Sequence, residues 1–228
     1  MVATPQVKDA PIRLCFDVLP KATVRAFGEC SKISVFSRGG WYLAGGTALA
    51  LQVGHRRSVD LDFFTKRKTF DEKKNEEVLS TQGKWVTTSL SRGTLYGEFF
   101  GAKMSFIAYP FFTPAAPMRK HGAISLLTPP DIAVMKVIAI SQRGRKRDFF
   151  DLYWICQNIQ PLRDSVLRVN AQYSVSQNLT HILKSLVYFE DADNDPEPVI
   201  FFKTNWREVK IFFKKEVSFI TKKLIHIE

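Results

Sequence analysis

The spacing of hydrophobic residues changes along the first third of the chain, and each spacing predicts a different element. Apolar residues recur at helical spacing from Leu19 to Ile33, whereas the short apolar run Trp41–Ala44 is typical of a strand. Gly45-Gly46 ends that run, and the alanine- and leucine-rich segment Thr47–Val53 favours a helix. The segment Val59–Thr65 then alternates with the period of two that a strand requires. The predicted local order is therefore strand, glycine turn, helix, strand.

Three segments rich in β-branched or aromatic residues follow. They occupy residues 84–90, 94–100 and 103–109, and short connections that contain glycine separate them. Such segments, joined by tight turns, predict a meander of antiparallel strands.

The rest of the chain is predicted to be helical. One helix begins near Thr128, with prolines in its first turn and with Asp131 placed for a capping box with Thr128. A second helix runs from about Arg147 to Gln157. Apolar spacing predicts further helices within residues 176–189 and 205–224, separated by an acidic turn.

Length, composition and charge limit the classes of protein that remain. A chain of 228 residues that is 45% hydrophobic can bury a core, and its length fits one α/β domain with a helical appendage. We expect an α/β core with an N-terminal helix in residues 1–127 and a helical region in residues 128–228. The formal net charge of +11 favours a polyanionic partner such as RNA, DNA or nucleotide phosphates.

The cysteines and the apolar runs predict a location. Cys15, Cys30 and Cys156 match no metal-ligand or disulfide spacing, so we expect reduced, buried thiols. The first sixteen residues include one acidic side chain, Asp9, and lack a long apolar core, and no later stretch approaches the roughly 20 apolar residues of a membrane span. We expect a soluble, cytoplasmic protein without a membrane partner.

Two aspartates, Asp60 and Asp62, stand two residues apart in the second predicted strand. They should project from one side of it, while Val59, Leu61 and Phe63 face the core. Adjacent like charges repel unless solvent, a basic neighbour or a divalent cation offsets them, and Mg²⁺ binds one or two carboxylates together with substrate phosphates. The alternative is a pair of solvated carboxylates on an exposed sheet face, which is the commoner outcome for an arbitrary D-x-D.

The glycine turn lies one predicted helix before these aspartates. Backbone N–H groups of Gly45, Gly46 and Thr47 at a helix N-terminus could bind a phosphate, although a lone Gly-Gly is more often only a turn. Taken together, a phosphate-binding turn and a carboxylate pair are the two parts needed to hold Mg²⁺ and a nucleoside triphosphate.

At this point the chain resembles the nucleotidyltransferase toxins of the AbiEii/AbiGii type, distant relatives of DNA polymerase beta and of the mycobacterial MenT toxins. The resemblance lies in "LAGGTALALQVGHRRSVDLDFF" and in "DIAVMKVIAISQRGRKRDFFDLYWI", and more loosely in "LVYFEDADNDPEP" and "WREVKIFF". It extends over roughly three-quarters of the chain, from about Trp41 onward. It implies a nucleotidyltransferase fold, a mixed central sheet flanked by helices and followed by a C-terminal helical region.

The resemblance also implies roles for individual residues. Gly45, Gly46 and Thr47 would bind the nucleotide at the position of the family's phosphate-binding motif. The other implied positions are the metal ligands Asp60 and Asp62, the triphosphate-binding Lys136, and Asp148 or Asp151, which would position the attacking hydroxyl or the lysine.

One part of the pattern is missing. Polymerase-like relatives carry a third metal-binding carboxylate on a later central strand, whereas residues 101–109 contain no acid. Either the site works with two carboxylates, or Glu98 or Asp148 supplies the third.

Further residues near these motifs have two interpretations each. His55, Arg56 and Arg57 either meet phosphates or form a solvated basic loop, and we favour Arg57 as a nucleotide contact. Lys136, in an otherwise apolar helix, either reaches solvent or points into a polar cleft.

The helix that follows the basic run at residues 143–147 raises the same choice. Asp148 and Asp151 share one of its faces and could be part of the site, or they could simply offset the helix dipole. The basic run itself is a candidate RNA contact or a solvated turn. The alternating acids of "DADNDPE" fail the EF-hand pattern, so we interpret them as a turn.

Taken together, the sequence predicts an enzyme that uses Mg²⁺ (or Mn²⁺) to transfer a nucleotidyl group from an NTP to an acceptor. The resemblance and the basic charge favour RNA, tRNA above all, and a toxin with a cognate antitoxin or a role in phage defence. Two alternatives remain open: a degenerate nucleotide- or RNA-binding module of the same fold, and transfer to a protein.

Overall fold

The computed structural model describes residues 13–225, and within them seven strands form one mixed sheet. The predicted absence of a targeting segment therefore falls largely outside the described residues. The start of the first predicted unit and the end of the second also lie outside them. The strands are β1 (Trp41–Leu43), β2 (Leu61–Thr65), β3 (Trp85–Ser91), β4 (Thr94–Phe99), β5 (Ala102–Ala108), β6 (Arg119–His121) and β7 (Ile124–Leu126), in the spatial order β3-β4-β5-β2-β1-β7-β6.

The pairing of these strands confirms the predicted meander and places β2 in the middle. β3, β4 and β5 are successively antiparallel, as their short turns predict. β2 runs parallel to β5 and antiparallel to β1, which in turn runs parallel to β7. Residues of the first predicted strand-turn-helix-strand unit are thus brought beside the meander.

Helices flank the sheet and continue to the C-terminus. Beside a single turn of 3₁₀ helix (Phe16–Val18), the structure contains α1 (Lys21–Cys30), α2 (Ser34–Arg38), α3 (Gly45–Val53), α4 (Glu72–Gln82), α5 (Pro129–Arg143), α6 (Lys146–Asn158), α7 (Leu162–Leu167), α8 (Val169–Gln172), α9 (Leu179–Ser185), α10 (Glu190–Asp193) and α11 (Trp206–Ile225). No helix of residues 13–225 is long and apolar enough to cross a membrane.

The two faces of β2 meet different surroundings because side chains alternate along a strand. Leu61 and Phe63 are fully buried, and the Phe63 ring lies 4.6 Å from the ring of Phe36 in α2. Burying aromatic and aliphatic side chains of this size contributes about 1.5–3 kcal/mol each. Asp62 and Phe64 point to the opposite, partly open face.

The helical region packs on α3 through α5 and α6. The ring of Phe149 in α6 lies 5.2 Å from the ring of Phe213 and 5.6 Å from that of Trp206, both in α11. These contacts pack α11 against α6. The predicted helices at α5, α6 and α11 are confirmed. The division into units at residue 127 stays a prediction.

Some local predictions were wrong. Val59 is 46% exposed instead of facing the core, because β2 begins only at Leu61. Thr128 is the N-cap residue of α5, but its hydroxyl donates to Asp131 Oδ2 at 3.2 Å and forms no capping hydrogen bond to the backbone. Asp131 instead accepts N–H bonds from Ala115 and Ala116, so the capping box is replaced by a tie to a distant loop.

The acidic segment before α11 is a short helix, α10, followed by a turn. Its carboxylates bind protein donors: Asp193 accepts hydrogen bonds from the Trp206 indole and from Lys210 Nζ at 2.9 Å. Asp195 accepts the backbone N–H of Lys146 at 3.0 Å and pairs with Arg145.

Candidate active site

A cavity of about 350 Å³ lies between the partly open face of the sheet and helix α5. This volume is in the range of small-ligand pockets. The strands β2, β5 and β4 form its floor, α5 forms one wall, and the first turn of α3 closes one end. The polar residues that line it are Gly45, Gly46, Thr47, Arg56, Ser58, Asp60, Asp62, Ser105, Lys136, Gln142, Arg143 and Arg147.

Asp60 and Asp62, which we call the open acidic pair, both line this cavity. Asp62 accepts a hydrogen bond from Ser105 Oγ at 2.7 Å. Neither carboxylate takes part in the ion pairs found among residues 13–225. Partial burial and the neighbouring charge of Asp62 raise the pKa of Asp60 above its ordinary value. The pair therefore carries negative charge that the protein itself leaves largely uncompensated.

The glycine turn approaches this pair closely. Gly45 has a φ of +70°, in the left-handed region that favours glycine, and it starts α3 directly after β1. A Cβ atom on Gly45 would lie 3.5 Å from Asp62 Oδ2, and one on Gly46 would overlap the Arg56 guanidinium. The backbone N–H groups of this helix N-terminus thus lie beside the acidic pair at the end of the cavity.

Thr47 supports the site with its side chain. Its hydroxyl donates a hydrogen bond to the backbone carbonyl of Asp60 and lies 2.8 Å from Ser58 Oγ. The side chain is buried and fixes the segment that carries Asp60. What Thr47 can offer a phosphate is its backbone N–H.

A second group of charges, the buried ionic cluster, lies beneath the cavity and consists of His55, Arg56, Lys136, Arg143, Asp148 and Asp151. Lys136 Nζ lies 2.6 Å from Asp148 Oδ1 and 2.5 Å from Asp151 Oδ2, and both carboxylates are fully buried. Lys136 also lines the cavity, so it points into a polar cleft, one of the two alternatives left open by the sequence.

Asp151 receives two further partners from the loop before β2. Arg56 donates to it through Nε at 2.5 Å and through Nη2 at 2.9 Å, a bidentate pair. His55 donates from Nε2 at 2.7 Å, because an ionised carboxylate can only accept. Arg143 binds Asp148 through Nε at 2.9 Å, and half of its side chain is exposed.

The pKa values in this cluster follow from the balance of burial and charge. Burial alone would raise the pKa of Asp151, but Arg56 and Lys136 outweigh it and hold that pKa well below its ordinary value. The pKa of Asp148 is lowered in the same way by Lys136 and Arg143. Burial lowers the pKa of His55 despite Asp151, so the imidazole is neutral near pH 7.

The structure brings Arg56, and not Arg57, to the cavity. Arg57 is exposed and does not line it, and its backbone N–H bonds to the carbonyl of Val199. The sequence favoured Arg57 as the arginine that faces the nucleotide, whereas the structure places the preceding residue, Arg56, at the cavity. Arg56 is turned inward because Asp151, fully buried, requires a cationic partner.

The sequence pattern of the family described as "Nucleotidyl transferase AbiEii toxin, Type IV TA system" matches residues 33–92 and 107–217. The chain belongs to this family. The AbiEii-type chain is also 37% identical over 187 residues to an uncharacterised protein of Aquifex aeolicus (strain VF5), a match that covers 78% of this chain and 86% of that protein.

Among solved structures, the fold is similar to MenT4, a nucleotidyltransferase toxin from Mycobacterium tuberculosis H37Rv. The two share 15% identity, with a TM-score of 0.52 over 88% of this chain and 84% of MenT4. This likeness confirms the predicted nucleotidyltransferase fold. Family membership confirms that the chain is a nucleotidyltransferase of a toxin family.

In this AbiEii-type enzyme, Ser105 occupies the place beside the acidic pair where a third acid was sought. Ser105 on β5 is in register with Asp62 on β2. Glu98 is in register with Lys103 and does not line the cavity, while Asp148 is held by Lys136 and Arg143. Among the described residues, no three His, Cys, Asp or Glu side chains converge on a metal site.

Asp148 and Asp151 fit only one of the two roles that the sequence suggested for them. Asp148 and Asp151 do not line the cavity, so neither contacts a molecule bound there. Of the two suggested roles, orienting an attacking hydroxyl or positioning the lysine, their contacts fit only the second.

Sequence reasoning missed several cavity residues of the AbiEii-type site. Ser105, Tyr96 and Tyr109 were interpreted only as parts of strands, and Tyr173 was not considered. The alternation of β5 could have found Ser105, because it places Ser105 and Ile107 on the face opposite to the core residues Met104 and Phe106. Of the basic run at residues 143–147, only Arg143 and Arg147 reach the cavity.

Proposed function

We propose that this protein transfers a nucleotidyl group from an NTP, in the presence of Mg²⁺ or Mn²⁺, to an RNA acceptor, with tRNA the first candidate, and that it acts as a toxin controlled by a cognate antitoxin. The observation that carries the proposal is that one cavity contains the uncompensated acidic pair, a helix N-terminus and the cationic groups of Lys136 and Arg143. Separated parts of the chain contribute these features.

The open acidic pair fits a hard divalent cation. Asp60 and Asp62 supply oxygen ligands. Partial burial and, after it, the charge of Asp62 raise the pKa of Asp60, and a bound cation would favour the ionised carboxylate against both effects. Mg²⁺ typically binds one or two carboxylates and completes its shell with water and substrate phosphates. When bound, such an ion neutralises phosphate charge and aligns the reacting groups.

Other groups that line the cavity suit the triphosphate. The N–H groups at the start of α3 favour anions because the helix N-terminus carries partial positive charge. Lys136 and Arg143 add full charges on the α5 side. The buried carboxylates Asp148 and Asp151 hold the Lys136 ammonium group in one position, so they act as positioning residues.

The chemistry proposed is a single displacement at phosphorus. A hydroxyl of the acceptor attacks the α-phosphorus of the NTP, a new phosphate ester bond forms, the bond to the β-phosphate oxygen breaks, and pyrophosphate leaves. The hydroxyl proton passes to solvent or to a carboxylate of the open acidic pair. Preorganised positive charge around the phosphates supplies the main stabilisation.

RNA is favoured as the acceptor because the protein is strongly basic, with a net charge of +11. Arg143 and Arg147 place exposed positive charge at the rim of the cavity. We infer tRNA as the first acceptor to test, on the basis of family resemblance.

Transfer of label distinguishes this proposal from its alternatives. The purified protein is incubated with each labelled NTP, Mg²⁺, total tRNA and cell lysate, beside the Asp60→Ala/Asp62→Ala variant. Label on RNA that depends on both aspartates is the expected result. Label on protein would replace RNA as the acceptor, and nucleotide binding without any transfer would mean a binding module, as the missing third carboxylate would allow.

The toxin and antitoxin parts have their own test. Expression of the wild type should arrest growth, and the Asp60→Ala/Asp62→Ala variant should not. Co-expression of the neighbouring gene's product should restore growth if it encodes the antitoxin. Growth arrest by the double variant would contradict a toxicity that depends on transfer.

A further inference from the structure

The floor of the cavity continues beyond the active site as an exposed sheet surface. Four side chains stand in register on neighbouring strands: Asp62 on β2, Ser105 on β5, Tyr96 on β4 and Ser89 on β3. Residues in register on adjacent strands share a face and lie about 4.8 Å apart. Tyr96 is therefore two strand spacings, about 10 Å, from the metal-binding aspartate.

Tyr96 is unusual among the aromatic residues of the cavity because it is exposed. Its exposed fraction is 41%, while its neighbours Leu95 and Gly97 are buried. Within residues 13–225 its ring packs against no other aromatic ring, and its hydroxyl has no hydrogen-bond partner. By contrast, Tyr109 and Tyr173 are less exposed, with hydroxyls 3.5 Å apart and rings in edge contact. Tyr96 is thus free to stack on a ligand, whereas the other two are engaged with each other.

Basic side chains border the same surface. Lys103, on β5, is exposed and close enough to Asp60 to lower its pKa. Arg147, at the start of α6, is exposed at the cavity rim and has the same effect on Asp60. The exposed residues of β3 on this face, Val86, Ser89 and Ser91, are uncharged, and the partly buried Glu98 of β4 shares the face in register with Lys103. An aromatic platform with bordering cations is how proteins bind single-stranded nucleic acid.

We propose that the outer sheet surface formed by β5, β4 and β3 binds the single-stranded end of the RNA acceptor, with a base near the reacting hydroxyl stacked on Tyr96. The proposal rests on the proposed function and names where its acceptor lies. The enclosed aromatic end of the cavity, with Phe64 and Tyr109, is left for the base of the NTP.

Another surface groove could compete for RNA and provides a control. It lies beside Arg143, between the end of α5 and α9, and contains His181, Lys184 and Tyr188. Tyr188 is also exposed, at 49%, but its hydroxyl donates to Glu190, and Asp191 lines the same groove. These carboxylates would repel phosphates, so this groove is the poorer site.

The test compares tyrosines of similar exposure. Binding of a short single-stranded RNA with a 5′ fluorescent label is measured by anisotropy in the absence of NTP, for the wild type and for the Tyr96→Ala, Tyr96→Phe and Tyr188→Ala variants. Stacking on one base predicts a roughly 10-fold weaker affinity for Tyr96→Ala. We expect near-wild-type affinity for Tyr96→Phe, which keeps the ring, and for Tyr188→Ala. Thermal unfolding confirms that each variant is folded. Separate binding of a labelled NTP should be unchanged in Tyr188→Ala, and in Tyr96→Ala it should weaken less than RNA binding does.

Three outcomes would overturn the proposal. RNA affinity could be unchanged in Tyr96→Ala, the same variant could weaken only NTP binding, or Tyr188→Ala could weaken RNA binding as much. RNA binding is measured without turnover, so its result does not depend on transfer. If the wild type transferred no nucleotidyl group, the proposed function would be contradicted, and the effect of Tyr96 on RNA affinity would still be tested by the binding measurement.

Discussion

Two pairs of aspartates, one that lines the cavity and one that does not, differ in whether the protein compensates their charge. The open acidic pair, Asp60 and Asp62, lines the cavity and forms no ion pair with the described residues. Asp148 and Asp151 are fully buried and are bound by Lys136, Arg56, His55 and Arg143. Two pairs of the same residue type, closely spaced in the sequence, therefore differ in whether cationic side chains pair with them.

We interpret this difference as the distinction between the pair that we propose binds a ligand and the pair that holds the site in shape. Charge that the protein compensates fully is stable without a ligand, and removing one partner leaves the others buried and unpaired. Charge that the protein does not compensate costs stability in the free state and is relieved by a cation. Each prediction below changes one pair and compares the result with the other.

The largest effect is expected from breaking the compensated pair. Asp151→Asn removes the charge that faces Arg56 and Lys136, so the free energy of unfolding should fall by about 3–5 kcal/mol. Urea denaturation measures it. The matched variant Asp148→Asn should lose less, because Arg143 is half exposed and can be solvated. Equal losses in the two variants would contradict this ranking.

Breaking the open acidic pair should affect activity and not stability. Asp62→Asn keeps the hydrogen bond from Ser105 but removes one of the two charges that we propose bind the metal ion, and nucleotidyl transfer should fall about 100- to 1000-fold. Its thermal unfolding temperature should be unchanged or slightly higher, since one of two repelling charges is gone. A clear drop in unfolding temperature would show that the pair is structural.

The two neighbouring arginines give a smaller contrast. Arg56→Lys loses the bidentate contact with Asp151, and the free energy of unfolding should fall by about 1.5–3 kcal/mol. Arg57→Lys, at an exposed position, should change it by less than about 0.5 kcal/mol. Chemical denaturation of both variants in one buffer measures the two changes in the free energy of unfolding. A larger loss for Arg57→Lys would mean that the cavity-facing arginine has been misassigned.

The smallest expected effect is a difference in pH dependence. Because the folded pKa of Asp151 is depressed, the unfolded chain binds protons first as the pH falls, and stability should decline below about pH 4, by up to about 1.4 kcal/mol per pH unit. Asp60 acts in the opposite direction, because its raised pKa makes the folded state bind protons more readily. Unfolding between pH 3 and 7 should therefore show a shallower acid decline in Asp151→Asn and a steeper one in Asp60→Asn than in the wild type. Parallel curves for all three proteins would contradict these assignments.

Much of the fold followed from local patterns, and each prediction that failed has its own physical reason. The strand-turn-helix-strand unit, the meander and α5 were predicted because alternation, glycine turns and apolar spacing act over a few residues. The capping box failed because the loop at Ala115 and Ala116 takes the Asp131 carboxylate. Val59 was placed in the core because periodicity does not locate the first residue of a strand.

The sequence by itself determined the glycine turn, the spacing of Asp60 and Asp62 and the position of Lys136 in an apolar helix, since each depends on neighbours within a turn or a strand. Only the tertiary structure decided that Arg56 and not Arg57 faces the site. The same holds for the burial of Asp148 and Asp151 under Lys136. These contacts join segments far apart in the chain, 95 residues for Arg56 and Asp151. Charge pairing over such separations depends on which faces of the packed elements meet, and no local pattern records that.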